Sequence, residues 1–303
     1  MSVINTGAFG KALWPGINAW YGEEYNDFDV EWSKCFDTEY SKKKWEEDVS
    51  FSGMTLAAVK PEGQPVEYDT MQQGFITRYT HVTYATGFVI TDEMIEDDQY
   101  NIVGKRNSKY CARSMRQTKE HVGANVFNRA FDSNYAGGDT LEMCSTAHLN
   151  VAGGTYSNEL TTAADLSEAA LEQACIDIGK WTDDRGLRIN AKPVSIHIPV
   201  DLQFEIERIL MSPLRVGTAE NDINALKSMG KFPKGVFINH YFTDTDAWFL
   251  RTDVKDGLKY FERRGDTFSQ DNDFDTDNLK YKATARFSFG WSDPRGVFGS
   301  PGA

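Results

Sequence analysis

The chain has 303 residues, of which 40% are hydrophobic and 13% aromatic, enough to bury one large core or two medium ones. Asp and Glu number 45 against 32 Lys and Arg, and the resulting charge of -13 excludes a general nucleic-acid binder, because phosphate neutralisation needs a basic surface. A mean hydropathy of -0.50 and the lack of any apolar run of about 18 residues exclude a membrane-spanning helix.

The start, MSVINTGAFGKALWPG, has neither the basic head nor the apolar stretch of a secretory signal. Through residues 1–50 the apolar anchors follow no steady period: Phe9, Leu13, Trp14, Ile17, Trp20, Tyr21, Phe28, Trp32, Phe36 and Trp45, set among many acids. Such a segment predicts an arm that finds its burial on another domain or another subunit. A helical subdomain packed on its own chain fits the same composition.

Strand chemistry begins after residue 50. PEGQPVEYDTM, with two prolines and Gly63, predicts an exposed loop. FITRYTHVTYATGFVI (75–90) then alternates, with Ile76, Val82 and Tyr84 on one face beside Arg78 and Thr80, and Thr77, Tyr79 and His81 on the other. Both faces are mixed, which predicts a protruding hairpin arm rather than a core strand.

One long helix is predicted over 91–132. Thr91 caps it, Asp92, Glu93, Glu96, Asp97 and Asp98 open it, and Lys105, Arg106, Lys109, Arg113, Arg116, Lys119 and Arg129 follow, the order that complements the helix macrodipole. Met94, Ile95, Ile102, Val103, Cys111, Met115, Val122, Val126, Phe127, Ala130 and Phe131 form a narrow stripe at helical spacing. At 1.5 Å per residue the rod would span about 63 Å, with Gly104 and Gly123 as kink points.

CSTAHLNVAGGTYSNELTTAADLS (144–167) is loop-like, and a compact α/β pattern follows it. A helix over 167–182 turns Leu171, Ala174, Cys175 and Ile178 inward, capped by Asp165 or Ser167. PVSIHIP (193–199) is a buried strand, and Leu202, Ile206, Ile209 and Leu210 mark a helix stopped near Pro213. GVFINHYF (235–242) and DAWFLRT (246–252) are strands flanking a TDTD turn. LKYFERR (258–264) and LKYKATARFSFGWS (279–292) form a last pair around the acidic loop GDTFSQDNDFDTDN.

Catalytic patterns are missing: there is no GxxxxGK[ST], no GxGxxG after a strand, no GxSxG and no HExxH. Cys35, Cys111, Cys144 and Cys175 have no CxxC spacing and are expected as free, buried thiols. Cys144 and His148 stand four apart without further ligands at metal spacing, and His197, in an apolar strand, is expected as a hydrogen-bonded core histidine. Asp271, Asp273, Asp275 and Asp277 imitate the opening of a calcium loop, but Thr276 and Lys282 stand where Gly and Glu are required. The basic run on the long helix is the one candidate for weak DNA contact; dipole complementation plus pairing with acidic arms of neighbouring chains explains the same charges. No catalytic, cofactor-binding or metal-binding residue is assigned, and no cofactor is expected.

The order arm, ribbon, rod helix, small α/β unit and returning strands resembles the major capsid protein of tailed bacteriophages, the Hong Kong 97 fold, in its myophage and Mu-like form. DTLEMCSTAHLNVAGGTYSN resembles the stretch after the family's spine helix, and LSEAALEQACIDIGKWTDDRGLRINAKPVSIHIPVDLQFEIERIL its entry to the axial domain. GTAENDINALK (217–227) is similar to the segment leading toward the capsomer centre, and RFSFGWSDPRGVFGSPGA to the C-terminal strand and tail. The resemblance implies an α+β fold: an N-terminal arm (1–50), an extended β-hairpin loop (51–90), a peripheral domain with the spine helix (91–159), an α/β axial domain (160–255), and return strands with a tail (256–303).

It further implies a non-enzymatic subunit of hexamers and pentamers in an icosahedral shell, assembled in the host bacterial cytoplasm. The partners implied are copies of itself, a portal protein, a separate scaffolding protein (or else an earlier form of the chain that was cleaved), a decoration protein and weakly contacted packaged DNA, with no membrane. No residue is matched to the family's Lys–Asn cross-link. An encapsulin-like compartment shell, or a soluble metal-assisted hydrolase around His148, His197 and the Asp-rich loop, are the alternatives.

Overall fold

The computed structural model describes residues 10–27, 29–91, 93–94, 100–214, 223–273 and 278–303. Phe9, Phe28, Asp92, Ile95, Glu96, Asp97, Asp98, residues 217–222, Asp275 and Asp277 lie outside these residues, as do the side chains of Leu13 and Trp14.

The N-terminal segment folds onto its own chain. α1 (Gly10–Asp27) buries Ile17 and Tyr21, and the one-turn α2 (Trp32–Cys35) buries Trp32 and Cys35. α2 has no side-chain cap of its own; the carboxylate of Glu120, far along the chain, accepts from the backbone N–H groups of Glu31 (3.2 Å) and Trp32 (2.9 Å). β1 (Asp37–Tyr40) then joins a sheet as an edge strand.

β2 (Trp45–Phe51) and β3 (Gln73–Thr80) form a two-stranded antiparallel ribbon, while β4 (Val82–Ile90) leaves it for the four-stranded sheet. The 75–90 stretch is therefore one run that changes sheets at His81, not a self-contained arm. His81 is the pivot: it is buried, and its Nδ1 lies 2.9 Å from Ser288 Oγ. Tyr79 is buried while Ile76 and Val82 are about half exposed, so the inward face is the one with the phenol and the imidazole.

Thr91 Oγ1 accepts from Met94 N (3.4 Å), as a cap should, and α3 (Tyr100–Asn128) follows. The helix ends four residues before the expected limit, where Ala130 N turns back to Phe127 O. It runs unbroken through Gly104 and Gly123. A Cβ on Gly123 would sit 3.1 Å from Trp32 Cβ and 3.3 Å from Phe289 Cε1, so this glycine serves close packing rather than bending. Ile102 of the expected stripe is exposed, whereas Arg116, Lys119 and Glu120 are buried.

Past the small ladder β5 (His148–Leu149) and β6 (Thr155–Tyr156), α4 (Glu168–Lys180) is capped by Ser167, whose side chain accepts from Ala170 N. β7 (Pro193–Pro199), α5 (Gln203–Met211), α6 (Ala225–Met229), β8 (Val236–Asn239) and β9 (Trp248–Thr252) come next, then β10 (Leu258–Asn272), β11 (Leu279–Trp291) and β12 (Val297–Ser300).

The sheets run β1-β10-β11-β4 and β12-β9-β7-β8. β8 and β9 both pair with β7, parallel and antiparallel, instead of with each other. β10 extends through much of the expected acidic loop because its register with β11 continues to Asn272. β12 pairs with β9, so the last strand does not join β10 and β11.

Two apolar cores flank the β12-β9-β7-β8 sheet. Trp248 and Leu250 of β9 and Phe298 of β12 enter the core with α4; Phe249 and Val297, their neighbours in sequence, enter the core with α3 and the other sheet. Period-two alternation sends successive residues to opposite faces, and here both faces are dry.

Candidate functional site

The histidines and the cysteine weighed for chemistry sit in buried, hydrogen-bonded settings. His148 is fully buried; its Nδ1 lies 2.5 Å from Asp139 Oδ2 and its Nε2 3.1 Å from Asn158 Oδ1. Asn158 Nδ2 donates to the carbonyls of Met143, Pro294 and Val297 (2.8, 3.0 and 3.1 Å), and its Oδ1 accepts from Ser145 N (2.8 Å). Both ring nitrogens of His148 are thus engaged, in a knot that pins the 139–158 loop to the C-terminal strand. Cys144 is buried against Gly299, where a Cβ would lie 2.8 Å from its Sγ, and burial pushes the thiol up.

His197 lies in a separate cluster, with Nε2 2.9 Å from Ser195 Oγ and Nδ1 3.3 Å from Cys35 Sγ. Burial pushes its pKa down to about 3, so it is a neutral, hydrogen-bonded core histidine as its strand setting predicts. Of the acidic loop, Asp273 pairs with Lys280. Among the described residues no three His, Cys, Asp or Glu stand close enough to hold a metal ion. These positions do not converge into the hydrolase centre considered above.

Most of the basic run is engaged within the chain. Lys109 meets Glu24 (3.2 Å) and Glu23 (3.6 Å) of α1, Lys105 lies over Trp20, Arg116 over Tyr25 and Arg129 over Tyr135. Lys119, 3.7 Å from Glu262, is walled by Trp32, Tyr260 and Phe287, and burial lowers its pKa. Lys105, Lys109 and Arg116 thus meet the chain's own first helix, in place of the expected acidic arms of neighbouring chains.

A cavity of about 690 Å³ lies between the base of the ribbon, the 183–191 turn and the 253–256 connector. Its polar anchor is Lys259, buried, with Nζ 2.7 Å from Asp48 on β2, 2.8 Å from Asp256 and 3.4 Å from Glu39 on β1. These partners raise the lysine's pKa against the opposing effect of burial, so the amine stays a cation and is no nucleophile. Neither histidine nor cysteine lines the space.

What the described residues do offer is uncovered apolar surface on a thin projection. Beyond β2 and β3, Met54, Leu56, Val59, Val66, Tyr68 and Met71 are all more than half exposed, with Val59 and Tyr68 at 94%. The legs are laddered by Ser52–Gln72 and Thr55–Asp69 hydrogen bonds, and Gln64 N to Pro61 O closes the tip. Gly63 takes the positive φ (+80°) of the tip turn. The 52–72 loop is irregular backbone with no inner layer of its own, so these side chains can be buried only against another body. Composition could not single them out, because an exposed Val and a core Val look alike in sequence. A second apolar patch lies on α5 and α6, with Phe204, Met211 and Met229 exposed.

A family model described as phage capsid protein matches residues 75–299, well over half of the chain. No curated protein matches it in sequence. Among solved structures, the procapsid of bacteriophage JBD30 is similar with a TM-score of 0.55 at 14% identity, covering 98% of this chain and 76% of that one. The capsid of a native GTA particle gives 0.55 at 11%, covering 98% and 90%. A virus-like particle from Pyrococcus furiosus gives 0.52 at 7%, covering 95% and 98%. The fold is of the Hong Kong 97 type, and the chain belongs to the phage capsid protein family as a structural subunit of the shell.

Proposed function

We propose that the chain is the major head subunit of a tailed phage, closing hexamers and pentamers into an icosahedral shell around double-stranded DNA. The observation that carries this reading is the apolar 51–71 projection. Each aliphatic side chain on it gains about 1.5–3 kcal/mol when fully buried, and a neighbouring copy is the partner always present at high local concentration in a growing shell. On this reading the arm ends before β2, six residues short of the expected limit at 50, and the extended loop is the ribbon of β2 and β3 with its tip. The spine helix belongs to the peripheral domain, and the core around α4 is the axial domain, with β12 contributing Phe298 to it.

The net charge of -13 keeps free subunits apart and disfavours tight DNA binding, so packaged DNA is contacted weakly and without sequence preference. The remaining partners are a portal protein, a separate scaffolding protein and a decoration protein. The chain turns over no substrate and acts in the virion after assembly in the host cytoplasm. Negative-stain microscopy of the purified chain should show capsomers or closed shells. A uniform small oligomer would overturn the reading, and shells filled with protein cargo in place of DNA in infected cells would favour a compartment shell.

A further inference from the structure

The loop beyond the ribbon is hydrogen-bonded to the body through Arg185. Asp69 Oδ2 accepts from Thr55 N (2.7 Å) and Thr55 Oγ1 (2.8 Å), and Asp69 Oδ1 from Thr70 N (2.8 Å), which ties the two legs together. These bonds hold the Asp69 carboxyl below the usual carboxylate range, so it stays charged. Arg185, in the turn between α4 and β7, donates from Nη2 to Thr70 O (2.6 Å) and lies 3.8 Å from Asp69 Oδ1.

The turn that presents this arginine is itself tightly built. Asp183 Oδ1 accepts from Arg185 N (2.9 Å) and Leu187 N (2.8 Å), Asp183 N donates to Leu187 O (2.7 Å), and Gly186 takes the positive φ (+83°) that closes it. Between this contact and the Lys259 anchor at the ribbon base lies the 690 Å³ cavity, so the ribbon bridges open space. A strap fastened at both ends across a void changes direction when one fastening goes.

We propose that Arg185 is a latch that sets the direction of the 52–72 loop in the free subunit, before any second copy is met. Ordering the loop in advance removes its entropy cost from the association step. The inference deepens the shell reading by naming what controls the projecting surface, but the latch itself is measurable without assembly.

Hydrogen exchange of the intact chain, kept dilute enough to remain unassembled, tests it on Arg185→Ala, Arg185→Lys and Asp69→Asn. Arg185→Ala should speed exchange at the amides of Thr55, Thr70 and Gln72 by about fivefold, Asp69→Asn should do likewise, and Arg185→Lys should fall between. α4 and β7 should exchange as in the wild type. Unchanged exchange at the three amides overturns the latch. So does an equal rise in α4 and β7, which would make Arg185 only a support of its own turn. Because this is read in unassembled chains, failure of the latch and failure of the shell reading remain distinguishable.

Discussion

β9 and the β2–β3 ribbon both carry aromatic and aliphatic side chains, and these meet opposite fates. In β9, Trp248, Phe249 and Leu250 are all buried, because the strand sits between two cores and each face of its alternation has a dry neighbour. In the ribbon, Phe51 and Ile76 stay exposed although Val49 pairs with Ile76 in register, because the body, which meets the ribbon at Gly74 and Thr77, leaves these side chains bare. The number of layers a strand is offered, rather than its apolar content, decides its burial. A projection that keeps its apolar surface after the chain has folded is a surface reserved for another molecule.

The contrast is open to attack by substitution. Trp248→Ala removes a fully buried indole and should cost about 3–5 kcal/mol in denaturant unfolding, whereas Val59→Ser with Tyr68→Ser should stay within about 0.5 kcal/mol of the wild type. Equal losses in the two variants would break the comparison. Gly299→Ala should cost about 1–3 kcal/mol, since the new Cβ would lie 2.8 Å from Cys144 Sγ and 2.9 Å from Phe249 Cδ1, with a crystal structure showing the displaced ring.

Acid should loosen the β7 wall through His197. Its folded pKa of about 3 lies below the ordinary value of 6.5, so the unfolded chain binds the proton first as pH falls. The stability it contributes is complete above pH 6.5 and declines toward pH 3. Between pH 6.5 and 5 the wild type should lose about 2 kcal/mol more than His197→Gln in matched urea titrations. Parallel titrations would contradict this assignment. The smallest effect belongs to the surface of α3: Lys109→Ala breaks only partly exposed pairs with Glu23 and Glu24 and should leave the thermal midpoint nearly unchanged.

Elements with strong local signals were legible in the chain: the Ser167 cap and inward face of α4, the buried strand 193–199, and the rod helix over its described residues 100–128. What sequence could not show was set by distant partners. Glu120 caps α2 across 88 positions, Arg116 and Lys119 are buried on a face that polarity would assign to water, and β12 returns to β9 past two nearer strands. The projecting loop was legible as exposed from its prolines and Gly63. Its ladder and its fastening by Arg185 were not, because both rest on side chains 14 and 115 positions apart.

Sedimentation velocity of the wild type beside a Leu56→Ser, Val59→Ser, Tyr68→Ser variant bears most directly on the role of the projecting loop. The wild type should run as capsomers or megadalton particles, and the variant as folded single subunits with unaltered circular dichroism. A variant that assembles as readily as the wild type would contradict the claim that this chain completes its burial through copies of itself.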